Sequence, residues 1–450
     1  MSAPTPPDRR RYRLTSPYDR EIVRLAVPAL GALVAEPLYV LADTAIVGHL
    51  GTRPLAGLAV AGIVLTAAFA VFNFLAYSTT GAVARRLGAG RRREATTIGV
   101  DACWLAVGLG VGLAVVGVVA AGWLVDVMGA SDGARDHAIT YLRISALGAP
   151  AYLVALAGAG FLRGMQDTRT TLVIALGANV ANLALELLLV YGFDAGIAGS
   201  AWGTVTAQVG AAAAYVLIVR RSAVATGARV TPDREGVKTV AVIGGPLVVR
   251  TASLLAVSIT VTALAARIGD TQVAAHQIAF QVNLLLALAL DAIAIAAQAM
   301  VGRYLGAGHP HDARAASTRM IVLGIAAGAL IALVVGGAAA WFVPLFTEDR
   351  AVVDLTVQVL VIVAVLQPLA AVVFVLDGVL IGAGDQRFLA VAMVVASFGV
   401  FAPLAATISV VGGGLLALWG AIAAWLVARA VGMVGRFAGT RWQRTGAAVA

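Results

Sequence analysis

The chain has 450 residues, 60% of them hydrophobic and 12% charged, with a mean hydropathy of +0.93. Soluble domains are nearer half apolar and about a quarter charged, so the composition excludes an ordinary soluble protein and points to one built into a bilayer. The net charge of +9 is not a nucleic-acid signature, because the basic residues fall in tails and short loops between apolar runs.

Polar breaks leave twelve stretches long enough to span: 22–48, 55–84, 95–128, 135–162, 170–191, 197–219, 239–266, 272–302, 314–346, 352–381, 388–410 and 415–435. The expected fold is an all-α integral membrane protein with twelve transmembrane helices in two pseudo-twofold lobes of six. The expected organisation is a basic cytoplasmic tail (1–21), an N-lobe (22–220), a cytoplasmic linker (221–238), a C-lobe (239–436) and a cytoplasmic C-terminal tail (437–450). The tail carries Arg9-Arg10-Arg11 but no short apolar core before a small-residue cleavage site, so it reads as a tail and not a signal peptide. Placing the N-terminus in the cytoplasm puts 26 of the 32 Lys and Arg residues on that side, so both termini are expected there, in the cell membrane.

The halves are copies. A shift of 218 residues lays 28–169 over 246–387 without a gap, bringing Pro28 onto Pro246, Arg85 onto Arg303, Leu87-Gly88-Ala89-Gly90 onto Leu305-Gly306-Ala307-Gly308, and Pro150 onto Pro368. After a one-residue slip, Trp202-Gly203 falls on Trp419-Gly420. Six helices per copy give both copies one orientation, the parallel-repeat design in which substrate passes between lobes. The shared inner loops read as glycine-assisted turns with cytoplasmic anchors.

Positions where the copies disagree are the candidates for function, because a charge in the hydrocarbon layer needs a partner or a job. The first helix carries Glu36 and Asp43, two turns apart on one face, where the second copy has Leu254 and Val261. Pro37 frees the Leu33 carbonyl, which makes it, with Pro28, a candidate bending point. The fifth helix aligns Asn179, Asn182 and Glu186 on one face, against an almost wholly apolar stretch at 396–404. Asp43 and Glu186 each lie about five residues from the outer ends of their helices, so they are expected to share a proton or a cation. On the sixth helix, Thr204 and Gln208 are expected to complete the pocket.

The second copy has Arg250 and Asp291 where the first has Ala32 and Asn73, at matching depth, so a structural Arg250–Asp291 ion pair is expected. Asp377, opposite Ala159 and grouped with the cleft residues, reads either as a cytoplasmic-side relay or as a residue reaching the headgroups. Gln277 and Gln281 share a face of the eighth helix and are expected in the substrate cleft. Cys103 is the single cysteine, and the five histidines are scattered, so no metal site or cofactor is expected.

Several runs together resemble the multidrug and toxic compound extrusion (MATE) family, its DinF-like branch in particular. They are Glu36-Pro37-Leu38 with Val40-Leu41-Ala42-Asp43-Thr44-Ala45-Ile46-Val47-Gly48, Leu162-Arg163-Gly164-Met165-Gln166-Asp167-Thr168-Arg169, Ala274-Ala275-His276-Gln277-Ile278, and Asp377-Gly378-Val379-Leu380-Ile381-Gly382-Ala383-Gly384. The resemblance implies two lobes opening alternately and export of lipophilic organic cations against inward proton or sodium flow. It assigns coupling to Asp43, Asn182 and Glu186, the last departing from the aspartate usual at that place. NorM-like members carry a seventh-helix acid that this chain lacks. The expectation is a proton-coupled multidrug antiporter, monomeric and not an enzyme. A sodium-coupled exporter, a flippase for lipid-linked or amphiphilic substrates, and a membrane-embedded transferase are the alternatives.

Overall fold

The computed structural model describes residues 16–447; the Arg9-Arg10-Arg11 run of the N-terminal tail lies outside them. Among the described residues all regular structure is helical. A bilayer leaves no water for unpaired backbone groups, so apolar runs of this length close their hydrogen bonds within the segment. Twelve spans result: α1 (Asp19–Gly48), α2 (Thr52–Gly88), α3 (Arg92–Val119), α4 (Asp132–Leu147 with Ala149–Gly164), α5 (Thr168–Gly192), α6 (Gly196–Thr226), α7 (Arg234–Ile268), α8 (Asp270–Gly306), α9 (Pro310–Leu345), α10 (Arg350–Gly382), α11 (Gln386–Val411) and α12 (Leu415–Ala438). Asp167, Asp233 and Asp349 cap α5, α7 and α10 by accepting from the backbone N–H groups of Thr170, Gly236 and Ala351 at 2.9–3.0 Å.

Three helices of the first half depart from the expected pattern. The stretch 95–128 is not one helix: α3 stops at Val119, Ala120 turns with φ −88° and ψ 1°, and a short helix follows at Ala121–Val127. The two pieces of α4 meet at 48°. Its counterpart α10 runs unbroken through Pro368, the match of Pro150. The difference lies two residues earlier, where Gly148 in α4 faces Leu366 in α10. Glycine adds backbone freedom to a turn already short of a proline hydrogen bond. Likewise α2 tightens into a 3₁₀ turn at Val71–Asn73, whereas α8 continues through the equivalent Ala289–Asp291.

These breaks divide the N-lobe by depth. The outer pieces of α2 and α4, Thr52–Ala70 and Asp132–Leu147, pack on each other and on neighbours in their own half. The inner pieces, Phe74–Gly88 and Ala149–Gly164, pack against each other, and Phe74–Gly88 also lies along α8, α7 and α10 of the C-lobe. Contact between lobes therefore concentrates at the end of the bundle that carries both chain ends, here called the terminal end. Further up, α1 touches α8 through Ala29, Leu30 and Leu33 against Ala292 and Ile295. Beyond that level the outer pieces of α2 and α4 keep to their own half, so the lobes part toward the far end and leave a cleft between them.

The shared LGAG runs make the closure at the terminal end. A Cβ on Gly88 would overlap the Arg303 carbonyl oxygen, and one on Gly306 would overlap the Arg85 carbonyl, so α2 and α8 cross backbone to backbone where the pseudo-twofold axis emerges. Gly90 and Gly308 then reverse the chain at φ +75° and +79°, as the turn reading expects. Ion pairs tie the start of α1 to the other lobe, Asp19 to Arg319 at 2.7 Å and Glu21 to Arg303 at 2.5 Å.

Candidate functional site

The polar residues of the first lobe converge where α1, α4, α5 and α6 meet toward the far end. Asp43 is 5% exposed and Glu186 is fully buried. Ser200 Oγ lies between the two carboxyl groups, 2.5 Å from Asp43 Oδ1 and 3.4 Å from Glu186 Oε1. Tyr141 donates its hydroxyl to Asp43 Oδ2 at 3.3 Å. One turn deeper, Asn182 Nδ2 donates to Thr204 Oγ1 at 3.1 Å, and Thr204 Oγ1 also bonds the Tyr39 hydroxyl at 2.8 Å. Two buried acceptors, Glu186 Oε2 and Asn182 Oδ1, have no donor. A buried acceptor left unmatched is costly, so this cluster has room for a proton or a cation.

The structure thus brings Asp43, Asn182, Glu186 and Thr204 together. Asn179 stands apart, donating at 2.7 Å to the Ala35 carbonyl and so tying α5 to α1 near Pro37. Glu36 is exposed and lies toward Tyr152, which is stacked on Phe69, rather than in the Asp43 network. It shares a helix face with Asp43 but not its burial. Gln208 sits at the bend of α4, where a Cβ on Gly148 would meet its side-chain oxygen. α1 remains one helix through Pro28 and Pro37. Gln277 and Gln281 are exposed on the α8 face that, three to five turns nearer the terminal end, packs on α1 through Ala292 and Ile295, which directs both into the cleft.

The ion pair of the second lobe differs from the expected one. Arg250 binds not Asp291 but Asp377, with Nε–Oδ1 at 3.3 Å and Nη2–Oδ2 at 2.5 Å. Arg429 joins from α12, its Nη2 3.0 Å from the same Oδ2 and its guanidinium 4.6 Å from the Trp425 ring centre. Matching depth brought Arg250 and Asp291 to one level, but depth does not fix azimuth, and Asp377 projects from α10 between the two arginines. Asp377 is therefore neither a headgroup-level residue nor a free cleft acid; at 4% exposure it is the centre of a buried clamp. Arg429, within the twelfth span, is buried as well. Asp291 lies beside the clamp, within the fields of Arg163 and Arg250 and in hydrogen-bond reach of Tyr77.

Ser200, Tyr141, Tyr39 and Arg429 escape a search for membrane-buried acids. The copy comparison contains the signal for the first three: their counterparts are Ala417, Val359 and Val257.

A family model, MatE, matches residues 28–188 and again 246–407, the two matches starting one repeat apart. The chain belongs to the MatE family. It is therefore a multi-pass membrane transporter of the efflux type and not an enzyme, which sets aside the transferase alternative. Among curated MatE relatives, Protein DETOXIFICATION 44, chloroplastic, of Arabidopsis thaliana is 33% identical over 84% of this chain and 74% of its own length. DNA damage-inducible protein F of Escherichia coli is 28% identical over 92% of this chain and 91% of its own, in keeping with a DinF-like branch. A solved transporter of the MOP superfamily from Pyrococcus furiosus, reported with a binding pocket of reversed polarity, superposes with a TM-score of 0.84 at 23% identity, covering 93% of this chain and 96% of that one. That likeness concerns the fold.

Proposed function

We propose that this MatE transporter is a proton-coupled antiporter that exports lipophilic organic cations, held here with its cleft open to the outside. The terminal end is read as cytoplasmic from the distribution of lysine and arginine, so the far end faces out of the cell membrane. The observation that carries the coupling reading is the Asp43–Ser200–Glu186 cluster, with Glu186 Oε2 and Asn182 Oδ1 lacking donors. Two buried carboxyl groups bridged by one hydroxyl cannot both hold charge cheaply, and a proton on either one removes the conflict. A cationic substrate and a proton then favour different states, which is all that exchange requires. No cofactor or nucleic acid enters this scheme; the partners are the bilayer and the substrate, and the unit is a monomer.

Sodium is the second reading, since the same oxygens could ligate a small cation. In proteoliposomes loaded with a fluorescent organic cation, an inward proton gradient should drive release and a sodium gradient should not. Asp43→Asn should abolish drug-stimulated proton movement while the protein remains monodisperse. Undiminished exchange by Asp43→Asn would sink the proposal; release driven by sodium alone would replace the proton by sodium.

A further inference from the structure

The segment after α12 does not hang free at the terminal end. Trp442 is fully buried, its Nε1 donating to the Phe437 carbonyl at 3.0 Å and its ring stacked on Phe437 at 5.2 Å. Arg314 of α9 covers both rings, 5.2 and 5.6 Å from their centres, and donates to the Gly439 carbonyl. Gln443 donates to the Pro310 carbonyl at 3.3 Å, and the Gly446 amide to the Leu305 carbonyl at 3.0 Å. All these partners belong to the second lobe, so residues 439–446 move with it.

The free edge of that segment faces the other lobe. Arg85 of α2, only 3% exposed, donates through Nη2 to the Arg444 carbonyl at 2.7 Å and the Gly446 carbonyl at 2.9 Å, and through Nη1 to the Ala383 carbonyl at 3.1 Å. Every one of these acceptors lies in the second lobe or its extension. The repeat explains why carbonyls take this place. Arg303, the copy of Arg85, is neutralised across the lobe boundary by Glu21, but the 218-residue shift carries Glu21 onto Thr239, which offers no charge. The C-terminal segment supplies oxygens to Arg85 where Arg303 has an acid. Gly446 holds φ +108°, a conformation that side chains rarely adopt, so its place in the contact favours glycine.

We infer that residues 439–446 form a strap that holds the terminal end closed by gripping Arg85, so that this segment sets the balance between outward-open and inward-open states. The inference rests on the alternating-access reading but not on the choice of coupling ion. Opening the terminal end must break both strap bonds to a charged donor, whereas the bonds from the strap to its own lobe survive.

The test labels Arg93→Cys and Thr318→Cys, exposed positions on opposite lobes at this end, in a Cys103→Ala background, and reads the distance distribution by electron spin resonance without substrate. Ending the chain after Gln443 spares the Trp442 anchor and removes both acceptors. It should raise the ratio of wide to narrow populations about tenfold, as expected for loss of a hydrogen bond to a charged group. Arg85→Gln should do the same, and truncation in that background should add nothing further. An unchanged distribution on truncation, or full additivity with Arg85→Gln, would overturn the strap. Gly446→Val in the full-length chain is the milder variant, expected to widen in the same direction; no widening there counts against the strap even if the truncated chain does not fold. Since no ion gradient is applied, a failure here is separate from a failure at Asp43.

Discussion

Replacing Asp377 by asparagine removes the carboxylate that pairs with both Arg250 and Arg429, and it leaves two guanidinium groups facing each other inside the helix bundle. Breaking a buried ion pair by deleting one partner costs roughly 3–5 kcal/mol, because the remaining charge is neither solvated nor matched. Asparagine keeps one acceptor oxygen, so the lower end applies, about 3 kcal/mol. For a cooperative unit of 150–250 residues, near the size of one lobe, each kcal/mol shifts the midpoint by roughly 2–4 °C. Asp377→Asn should thus lower the melting midpoint of purified protein in detergent by about 10 °C, followed by fluorescence-detected size exclusion after heating. Asp291→Asn is the internal comparison and should cost clearly less, since Asp291 makes no direct salt bridge to Arg250. Replacing the whole clamp with apolar groups, Asp377→Leu with Arg250→Met and Arg429→Met, should recover most of the loss. The reasoning fails if Asp291→Asn is as damaging as Asp377→Asn, or if the triple variant is no more stable than the single one.

Two further predictions test other levels of the structure. Ser200→Ala removes the hydroxyl shared by Asp43 and Glu186; a bond to a charged acceptor contributes about 1.5–3 kcal/mol, so coupled exchange in proteoliposomes should fall about tenfold or more while the variant stays folded, and wild-type exchange would exclude Ser200 from the network. At the far surface, Arg135 hydrogen-bonds Asp126 at 2.6 and 3.0 Å and holds its carboxyl below the usual range. A depressed carboxylate contributes above its unfolded value, about 3.9, and loses that contribution as pH falls through the lower folded value. The melting difference between wild type and Asp126→Asn should therefore stay constant from pH 8 to pH 5 and shrink only under more acid conditions; a change between pH 8 and 5 would contradict the pairing.

The spans were legible because a bilayer rewards only long apolar runs, and the duplication counts them twice. The breaks were not, because hydropathy cannot see them: Gly148 and Leu366 both suit an apolar run, yet one permits a 48° bend beside a proline and the other does not. Asp43, Asn182 and Glu186 stood out since ionisable and amide groups are expensive at that depth. Ser200 hid among the small residues that pack membrane helices, where a hydroxyl raises no alarm. Arg429 hid differently. By sequence it falls among the basic residues of the cytoplasmic side, and only the azimuth of α12 turns it inward onto Asp377.

The two lobes treat buried charge in opposite ways, and that difference bears on which of them can couple. In the C-lobe, Asp377 sits between Arg250 and Arg429, and Asp291 lies beside Arg250 and Arg163 of the N-lobe, so each acid has a base near it, in a half whose α8 and α10 run unbroken. An aspartate gripped by two guanidinium groups gains little from a proton. In the N-lobe, Asp43 and Glu186 face hydroxyls and, among the described residues, form no ion pair, and the helices around them, α2 and α4, are broken at mid-depth. A site that must take up and give back a charge needs an unmatched acid, and one that must report its charge to the cleft needs walls able to move. On the proposed coupling, the unmatched acids and the mid-depth breaks beside them both fall in the first lobe, whereas the second pairs its buried Asp377, although the two descend from one repeat.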